Sequence, residues 1–306
     1  MKVLVTGSQG ALGRMLVPEL RGRGHDVWGC GLRHSTDSQY QRCDITEWRQ
    51  LNQTWGSRDW DVCVHLAGEF GRLNGDKWPE QLWKTNCLGT ANVIDLCARR
   101  KVRLVFASSS EAYGMLADVC TLREEVLDNK TPAFHNAYAL TKFTNEQQIK
   151  LAARTRGLDA TILRFFNIFG PGEEYTPYRS VICQFAYRLL TGQPVTVYKN
   201  TSRSFLYVDD WARAVANVLN VKTGPAEAFN IGSPKSYDLC TVYNIVSSVV
   251  GSDVDVRTEL TETCNVAHKA PDVNKAATFL GLRDTVDLRE GVERTVAWMR
   301  RWYELG

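Results

Sequence analysis

The chain has 306 residues, which accommodates one large α/β domain or one domain with a smaller appendage. Hydrophobic residues make up 44% of the sequence and charged residues 23%, a composition typical of proteins with a sizeable core. The formal net charge of +3, without a basic run or an acidic tail, argues against binding to nucleic acid or to a membrane surface.

The chain begins with a short apolar run, Val3 to Val5, which predicts a first strand and is too short for a signal peptide. No stretch approaches the ~20 apolar residues that a membrane helix requires. The nine cysteines are scattered, with no Cys-x-x-Cys pair, and several lie in apolar segments. We therefore expect a cytoplasmic protein with reduced thiols and no metal site.

Short β-branched segments alternate with longer helical segments through the first half of the chain. The pattern predicts strands at 2–6, 26–30, 62–67, 103–108 and 160–165, and helices at 11–22, 81–99 and 137–156. Pro18 lies inside the first helix and is expected to bend it or shorten its regular part, because proline lacks a backbone donor. Strand and helix in alternation predict right-handed crossovers and a parallel sheet.

The pattern changes after Gly170-Pro171-Gly172. It predicts helices at 181–191, 209–220, 239–250 and 288–303, and short strands near 195–198 and 229–231. We expect a Rossmann-type, doubly wound parallel sheet with a smaller mixed α/β lobe that covers the mouth of the sheet. The expected division assigns 1–170 and 205–233 to the sheet domain, and 171–204 and 234–306 to the smaller lobe.

A glycine-rich turn of the form G-x-x-G-x-x-G joins the first strand to the first helix. Gly7 suits the tight turn, Gly10 lets the backbone approach a pyrophosphate, and Gly13 permits close packing of the helix on the strand. Unpaired N–H groups at the start of the helix can then face the phosphates. The turn predicts a dinucleotide site that includes Gln9, Ala11 and Leu12.

The end of the second strand bears on the kind of dinucleotide. NAD enzymes usually carry an acidic residue there to bind the ribose 2′-hydroxyl, whereas this sequence has Gly31 and then Arg33. A small residue and a cation favour a 2′-phosphate, so we expect NADP in preference to NAD; the alternative for Arg33 is a solvated loop arginine. Other residues expected to contact the cofactor are Asp44 and Ile45 at the adenine, and Leu66, Ala67 and Gly68 along the cleft.

Tyr138 and Lys142 open a predicted helix, and their i, i+4 spacing puts both on one face. An ammonium beside the phenol is expected to lower the pKa of Tyr138 from its usual value of ~10. The fourth strand ends in three serines followed by Glu111, at the edge of the sheet where ligands bind. A serine hydroxyl there can hold a substrate oxygen beside the tyrosine while a proton and a hydride leave the same carbon.

These motifs together resemble the extended short-chain dehydrogenase/reductases, a family of nucleotide-sugar epimerases, dehydratases, decarboxylases and reductases. The resemblance covers nearly the whole chain. Other segments that resemble the family are His65-Leu66-Ala67, Asn86 with Gly89-Thr90, and the runs 164–171, 203–210 and 271–276.

The resemblance implies a role for each matching residue. Tyr138 is the base, Lys142 its partner and Ser109 the catalytic serine, while Asn86 belongs to the cofactor site. The residues implied to hold a nucleotide-diphosphate sugar are Ser109, Ser110, Asn167, Val195, Tyr198 and Arg203. An arginine often precedes the Pro-Asp pair near the C-terminus in this family, but here the candidates are His268 and Lys269. Arg179 either supplies the missing phosphate contact or is a solvated arginine at a helix start.

The resemblance leaves the reaction open. Family members remove hydride from a sugar carbon, usually C4, and differ in what then happens to the ketone. Epimerisation returns the hydride to the other face, whereas dehydration needs a second base, for which Glu111 is the candidate. Ser-Ser-Glu resembles guanosine-diphosphomannose dehydratases, uronate decarboxylases and 4-keto-6-deoxy-sugar reductases; alternatively, Glu111 is a pocket carboxylate without chemistry.

We expect an epimerase or dehydratase that transfers hydride internally. An NADPH-dependent reductase of a keto sugar and a non-enzymatic NADP sensor are the alternatives. The predicted helices 81–99 and 137–156 resemble those that form a four-helix dimer interface in the family, which implies a homodimer.

Overall fold

A computed structural model describes residues 1–116, 121–252, 254–260, 266–283 and 285–305. The strands are β1 Lys2–Thr6, β2 Asp26–Gly31, β3 Tyr40–Arg42, β4 Val62–His65, β5 Arg103–Ser109, β6 Ala160–Phe165, β7 Ile168–Phe169, β8 Val195–Lys199, β9 Ser202–Ser204, β10 Leu206–Tyr207, β11 Glu227–Ile231, β12 Ser236–Asp238, β13 Val256–Leu260 and β14 His268–Lys269. The α-helices are α1 Gly13–Gly22, α2 Trp48–Gly56, α3 Arg72–Lys77, α4 Pro79–Trp83, α5 Thr90–Arg100, α6 Val126–Asn129, α7 Ala137–Arg156, α8 Val181–Leu190, α9 Val208–Val218, α10 Leu239–Val250, α11 Asn274–Phe279 and α12 Leu288–Trp302. A π-helical segment, Lys84–Gly89, joins α4 to α5, and a 3₁₀ helix, Ser110–Tyr113, follows β5.

Seven strands form one parallel sheet in the order β11-β6-β5-β4-β1-β2-β3. The chain order reverses between β1 and β4, because β1 pairs with β2 on one side and with β4 on the other. In a doubly wound sheet, ligands bind at the carboxyl ends of the strands beside this reversal. The predicted Rossmann-type fold is confirmed.

The central strands are apolar through their middle residues, which is typical of a parallel sheet with both faces covered. Val3 and Val5 of β1 face one core cluster, which continues into the C-terminal part of the chain. Leu4 faces the other cluster, together with Cys63 of β4 and side chains of α2, α5 and α7. Both layers position the carboxyl end of β1, where the glycine-rich turn begins.

Some element boundaries differ from the predicted ones. α1 begins at Gly13, two residues later than predicted, and continues through Pro18. The helix predicted over 81–99 is interrupted by the π-helical segment, in which the side chain of Asn86 is buried. A π-helical turn changes the direction in which side chains point, and such turns are frequent at functional sites. β4 ends at His65, so Leu66 and Ala67 belong to the loop that follows.

The C-terminal part of the chain adds smaller sheets and returns once to the main one. β8 pairs with β13, and β9 lies between β12 and β14. β11 pairs in parallel with β6 and forms the edge of the main sheet, with Phe229 opposite Leu163. The segments that follow β6 therefore surround the carboxyl edge of the main sheet.

Within the described residues, no helix is both long and apolar enough to span a bilayer. The same ranges contain no group of three or more His, Cys, Asp or Glu side chains arranged to hold a metal ion. Seven cysteines are free thiols, namely Cys30, Cys43, Cys63, Cys87, Cys97, Cys183 and Cys240. The remaining two, Cys120 and Cys264, lie outside the described residues.

Candidate active site

A cleft of about 300 Å³ opens at the carboxyl edge of the main sheet, which we call the central cleft. The glycine-rich turn, the serine-rich end of β5, the start of α7 and the segment 167–180 line it. Predicted site residues that line it are Ala11, Leu12, Ser109, Ser110, Glu111, Tyr138, Asn167 and Arg179. The fold thus brings together side chains from both halves of the chain.

The glycine-rich turn fits a dinucleotide phosphate. Gly7 has φ +71°, and a Cβ on it would lie 2.7 Å from the backbone nitrogen of Ala67. A Cβ on Gly13 would lie 2.4 Å from the carbonyl oxygen of Gly7, so only glycine lets α1 pack this closely. Gly10 is exposed, and the buried Oγ of Ser8 has no hydrogen-bond partner among the residues that the structure describes. The turn is therefore a backbone cradle with room for an anion.

The residues expected at the adenine end of the dinucleotide differ in exposure and in hydrogen bonding. Arg33 is 56% exposed, and its guanidinium contacts the carboxylate of Glu174 at 3.3 Å. Asp44 accepts hydrogen bonds from the backbone and the hydroxyl of Thr46, while Ile45 is buried. The Gln9 side chain, beside the turn, donates to the hydroxyl of Ser35 at 3.3 Å. Arg33 already has a partner in this structure.

Asn86 is 1% exposed and holds the loop after β4. Its amide oxygen accepts from the backbone of Glu69 at 2.8 Å, and its nitrogen donates to the Glu69 carbonyl and to Thr141. Leu66 and Ala67 are half-buried, and Gly68 is exposed beside them. The Asn86 side chain therefore positions the loop expected to line the cofactor site.

The helix that carries Tyr138 and Lys142 is positioned by its N-cap. Asn136 accepts a hydrogen bond from the backbone of Ala139 at 2.8 Å, which begins α7 at the mouth of the central cleft. Tyr138 and Ser109 both line the central cleft, and the Ser109 hydroxyl lies close enough to the phenol to affect its pKa. The ammonium of Lys142 donates to the carbonyl of Ala107 at 2.8 Å. Tyrosine, serine and lysine thus meet at the end of β5.

The pKa of Tyr138 differs from the sequence-based expectation. Burial raises it to about 12, and the nearby Ser109 hydroxyl offsets only part of that rise. Burial also lowers the pKa of Lys142, to about 8, against the opposing effect of Glu146. The Lys142 ammonium lies 5.9 Å from the centre of the Tyr138 ring and is bound to a carbonyl. The expectation that Lys142 lowers the pKa of Tyr138 is wrong for the protein alone, because burial penalises the phenolate more strongly.

Glu111 forms an ion pair with Lys269, whose side chain is only 4% exposed, at 2.7 Å. Burial alone would raise the pKa of Glu111, but Lys269, Arg203 and a hydrogen bond from Asn136 hold it below its ordinary value. Glu111 is therefore an anion already engaged by a cation. From the sequence, Lys269 and His268 are the two candidates for a phosphate contact. The spacing of residues along the chain does not indicate that Lys269 pairs with Glu111.

The residues expected to bind the sugar nucleotide fall into two groups. Asn167, with φ +37°, donates to the carbonyl of Ser204, and Arg179 stacks on the ring of Phe70 at 4.2 Å; both line the central cleft. Arg203 instead donates to the carbonyls of residues 202, 266 and 267 and lies in a small adjoining cavity with Glu111 and Lys269. Val195 has a core position, and neither it nor Tyr198 is among the described residues that line the cleft.

Sequence reasoning missed several residues of the central cleft. Asn136, which lines the small adjoining cavity, was also missed; it carried a usable signal, since asparagine directly before a predicted helix is an N-cap candidate. Glu173 and Tyr178 line the cleft from loops, which have no periodicity to reveal the direction of a side chain. Glu173 is held through Ser180, whose backbone and hydroxyl both donate to its carboxylate.

Comparisons with known proteins identify the family of this chain. The sequence profile of the NAD dependent epimerase/dehydratase family matches residues 3–232. The chain belongs to this family. The match confirms the family predicted from the motifs and the expectation of an enzyme.

Relatives of known name share the whole length of the chain. A putative UDP-glucose 4-epimerase of Methanocaldococcus jannaschii is 28% identical, over 97% of this chain and 98% of its own. A UDP-N-acetyl-alpha-D-glucosaminuronate decarboxylase of Bacillus cytotoxicus is 27% identical, over 98% of both chains.

Solved structures agree with this family membership. The UDP-glucose 4-epimerase of Thermotoga maritima with UDP-glucose has a TM-score of 0.89 and 25% identity, over 99% of this chain and 100% of its own. MoeE5 in complex with UDP-glucuronic acid and NAD has a TM-score of 0.87 and 27% identity, with the same coverage. The similar proteins named here include epimerases and a decarboxylase, and both solved structures contain a bound UDP-sugar.

Proposed function

We propose that this enzyme interconverts UDP-sugars at C4 through a transient 4-ketone, with hydride stored on a tightly held nicotinamide dinucleotide and returned to the same sugar. The observation that carries the proposal is the meeting of Ser109, Tyr138 and Lys142 at the end of β5, beside the glycine-rich turn. This family's chemistry needs a proton acceptor next to the carbon that loses hydride.

Tyr138 is the group that takes and returns the proton of the sugar hydroxyl. Because burial holds its pKa at about 12, the phenol stays protonated at rest and becomes a base only when positive charge is bound beside it. Ser109 holds the reacting oxygen, and Lys142, anchored on Ala107, has further N–H donors for a ligand. The bound dinucleotide supplies the hydride acceptor.

The diphosphate of the substrate is assigned to the side of the central cleft where Arg179 lies. The Arg179 guanidinium lines the cleft, fixed by its stacking on Phe70 and by a hydrogen bond from Nε to the carbonyl of Glu174. Arginine suits phosphate because its planar fork can donate two hydrogen bonds at once. The UDP-sugars bound by similar proteins support UDP as the nucleotide.

The state of Glu111 favours epimerisation over dehydration. A second base must accept the C5 proton, but Glu111 is held by Lys269, and its lowered pKa makes it a weak acceptor. Decarboxylation of a UDP-uronate is the second candidate. It needs no second base once the ketone has formed, and Lys269 and Arg203 supply positive charge beside Glu111 that suits a carboxylate.

Two finer features belong to the proposal. The cofactor is NAD or NADP; the sequence favoured NADP through Gly31 and Arg33, whereas MoeE5 binds NAD. The second feature is a homodimer. Apolar side chains that are exposed on the helices expected at the interface support it. These side chains are Trp83, Leu88, Leu140 and Leu151.

The test is incubation with UDP-glucose, UDP-galactose and UDP-glucuronic acid without added reductant, read by mass and NMR. Unchanged mass with a shifted sugar spectrum supports epimerisation, and loss of carbon dioxide identifies the decarboxylase. Loss of water would identify a dehydratase and contradict the assignment of Glu111. Turnover that depends on added NADPH would replace the proposal with a reductase.

A further inference from the structure

The carboxylate of Glu174 joins the C-terminal part of the chain to two arginines beside the glycine-rich turn. Arg14, directly after Gly13, donates to Glu174 Oε1. Arg33, just beyond β2, lies 3.3 and 3.4 Å from the two oxygens of the same carboxylate. Burial alone would raise the pKa of Glu174, but the two arginines hold it low, so this carboxylate is an anion at neutral pH.

Glu174 is held in place by the segment on either side of it. Gly172 has φ +90°, and a Cβ there would lie 3.0 Å from the carbonyl oxygen of Ala11, so the segment packs against the glycine-rich turn. On the other side, the backbone of Tyr175 donates to the hydroxyl of Tyr303 at 2.6 Å. The Glu174 carbonyl accepts from Arg179 at 3.1 Å. These contacts fix the backbone from which the Glu174 carboxylate extends to Arg33.

The end of β2 lacks the acidic residue that commonly discriminates against a 2′-phosphate. Gly31 stands there, and Arg33 alone would favour NADP. Glu174 changes this balance because it neutralises Arg33 and would repel a phosphate that approached the same guanidinium. We propose that Glu174 is a cofactor-selecting residue, which supplies from the C-terminal part of the chain the negative charge that β2 lacks and favours NAD over NADP.

The inference rests on the proposed dinucleotide site and is tested by binding, without turnover. Titration calorimetry measures the affinities of NAD and NADP for protein stripped of nucleotide. We expect the unaltered protein to bind NAD more tightly. Glu174→Gln keeps the size of the side chain and removes its charge, and should shift the affinity ratio toward NADP by about threefold to tenfold.

Two matched variants sharpen the test. Glu19→Gln removes the carboxylate of another arginine pair on α1, Glu19 with Arg23, and should leave the ratio unchanged. In an Arg33→Ala background, Glu174→Gln should shift the ratio less than it does alone, because the two residues act on the same phosphate.

Three results would overturn the inference. One is tighter binding of NADP than of NAD by the unaltered protein, which tests the idea even if Glu174→Gln folds poorly. Another is an equal shift with and without Arg33. The third is binding of both dinucleotides with a ratio that Glu174→Gln does not change, which leaves the proposed function intact. Failure to bind either dinucleotide would overturn the proposed site as well.

Discussion

Tyr138 is the residue on which the proposed chemistry most directly depends. Tyr138→Phe removes the phenolic hydroxyl beside Ser109 but keeps the ring, so we expect the fold to persist and turnover to fall about 100-fold to 10,000-fold. Steady-state turnover of a UDP-sugar measures the loss. Tyr243→Phe, on α10 and packed against Phe185, is the matched control with unchanged rates. Equal rates for Tyr138→Phe and the unaltered protein would remove Tyr138 from the mechanism.

His65 gives the protein a defined sensitivity to acid. It is 1% exposed between the hydroxyls of Thr6 and Thr90, and burial lowers its pKa from 6.5 to about 3. The unfolded chain therefore binds a proton at His65 below about pH 6.5 that the folded chain refuses until about pH 3. The stability contributed by neutral His65 is complete above that range and is lost as the pH falls.

The effect of His65 is measurable against a variant that does not titrate. Its share of the unfolding free energy should fall by about 2–3 kcal/mol between about pH 7 and about pH 4.5. Urea denaturation of the unaltered protein and of His65→Gln at both pH values isolates this share, since other groups titrate in both proteins. Identical losses in the two proteins would show that His65 is not the group responsible.

At the scale of elements, the contact between α1 and the glycine-rich turn is a tight constraint on the site. In Gly13→Ala the new Cβ would lie 2.4 Å from the Gly7 carbonyl, and we expect a loss of about 1–3 kcal/mol in stability together with weaker dinucleotide binding. Gly22→Ala is the control at the other end of α1. No heavy atom lies within 4 Å of its Cβ, so it should be neutral or up to about 1 kcal/mol more stable.

Thermal unfolding and dinucleotide titration of both alanine variants test this contrast. Similar effects of the two substitutions would mean that α1 does not need the close approach at Gly13. A stable Gly13→Ala protein with normal dinucleotide binding would go further and contradict the cradle itself.

A buried ion pair fixes α7 against the sheet. Arg164 of β6 and Glu146 of α7 are both fully buried and lie 2.8 Å apart. Glu146 also accepts from Ser108, and Arg164 donates to the hydroxyl of Tyr113 and to the carbonyl of Glu124. Because both charges have these partners, the pair holds the middle of α7 against β6 without leaving a buried charge unpaired. Tyr138 lies on the same helix, so the pair also constrains its position.

The proposed homodimer belongs to the scale of the whole molecule. Leu88 and Leu151 are 50% and 53% exposed on the helices expected at the interface. The double substitution of both leucines by glutamate should halve the mass measured by light scattering, because charges would then face an apolar contact. Leu260→Glu, at a side chain that is 74% exposed on β13, should leave the mass unchanged. A monomer before any substitution would contradict the dimer.

The sequence alone determined the features that depend on neighbouring residues. The glycine-rich turn, the i, i+4 pair Tyr138 and Lys142, and the serine-rich end of β5 are local patterns. Strand and helix spacing predicted the fold class, and the resemblance of these motifs to a known family indicated the family. Six of the seven strands of the main sheet followed from apolar runs, whereas the edge strand β3, Tyr40–Arg42, has no such run and was not predicted. Local patterns did not predict that α1 begins two residues later than expected, or that a π-helical segment interrupts the next helix. Both features depend on the packing around Gly13 and Asn86.

Only the tertiary structure decided the charges around the site. Glu174 reaches Arg33 across 141 residues, and Lys269 reaches Glu111 across 158. Neither pair belongs to a periodic pattern, so spacing along the chain does not reveal either one. Whether Glu111 is a free base, and whether Arg33 is available to a phosphate, depends on which loops the fold brings together. The pKa of Tyr138 was misjudged for the same reason: it depends on burial, which spacing along the chain does not reveal.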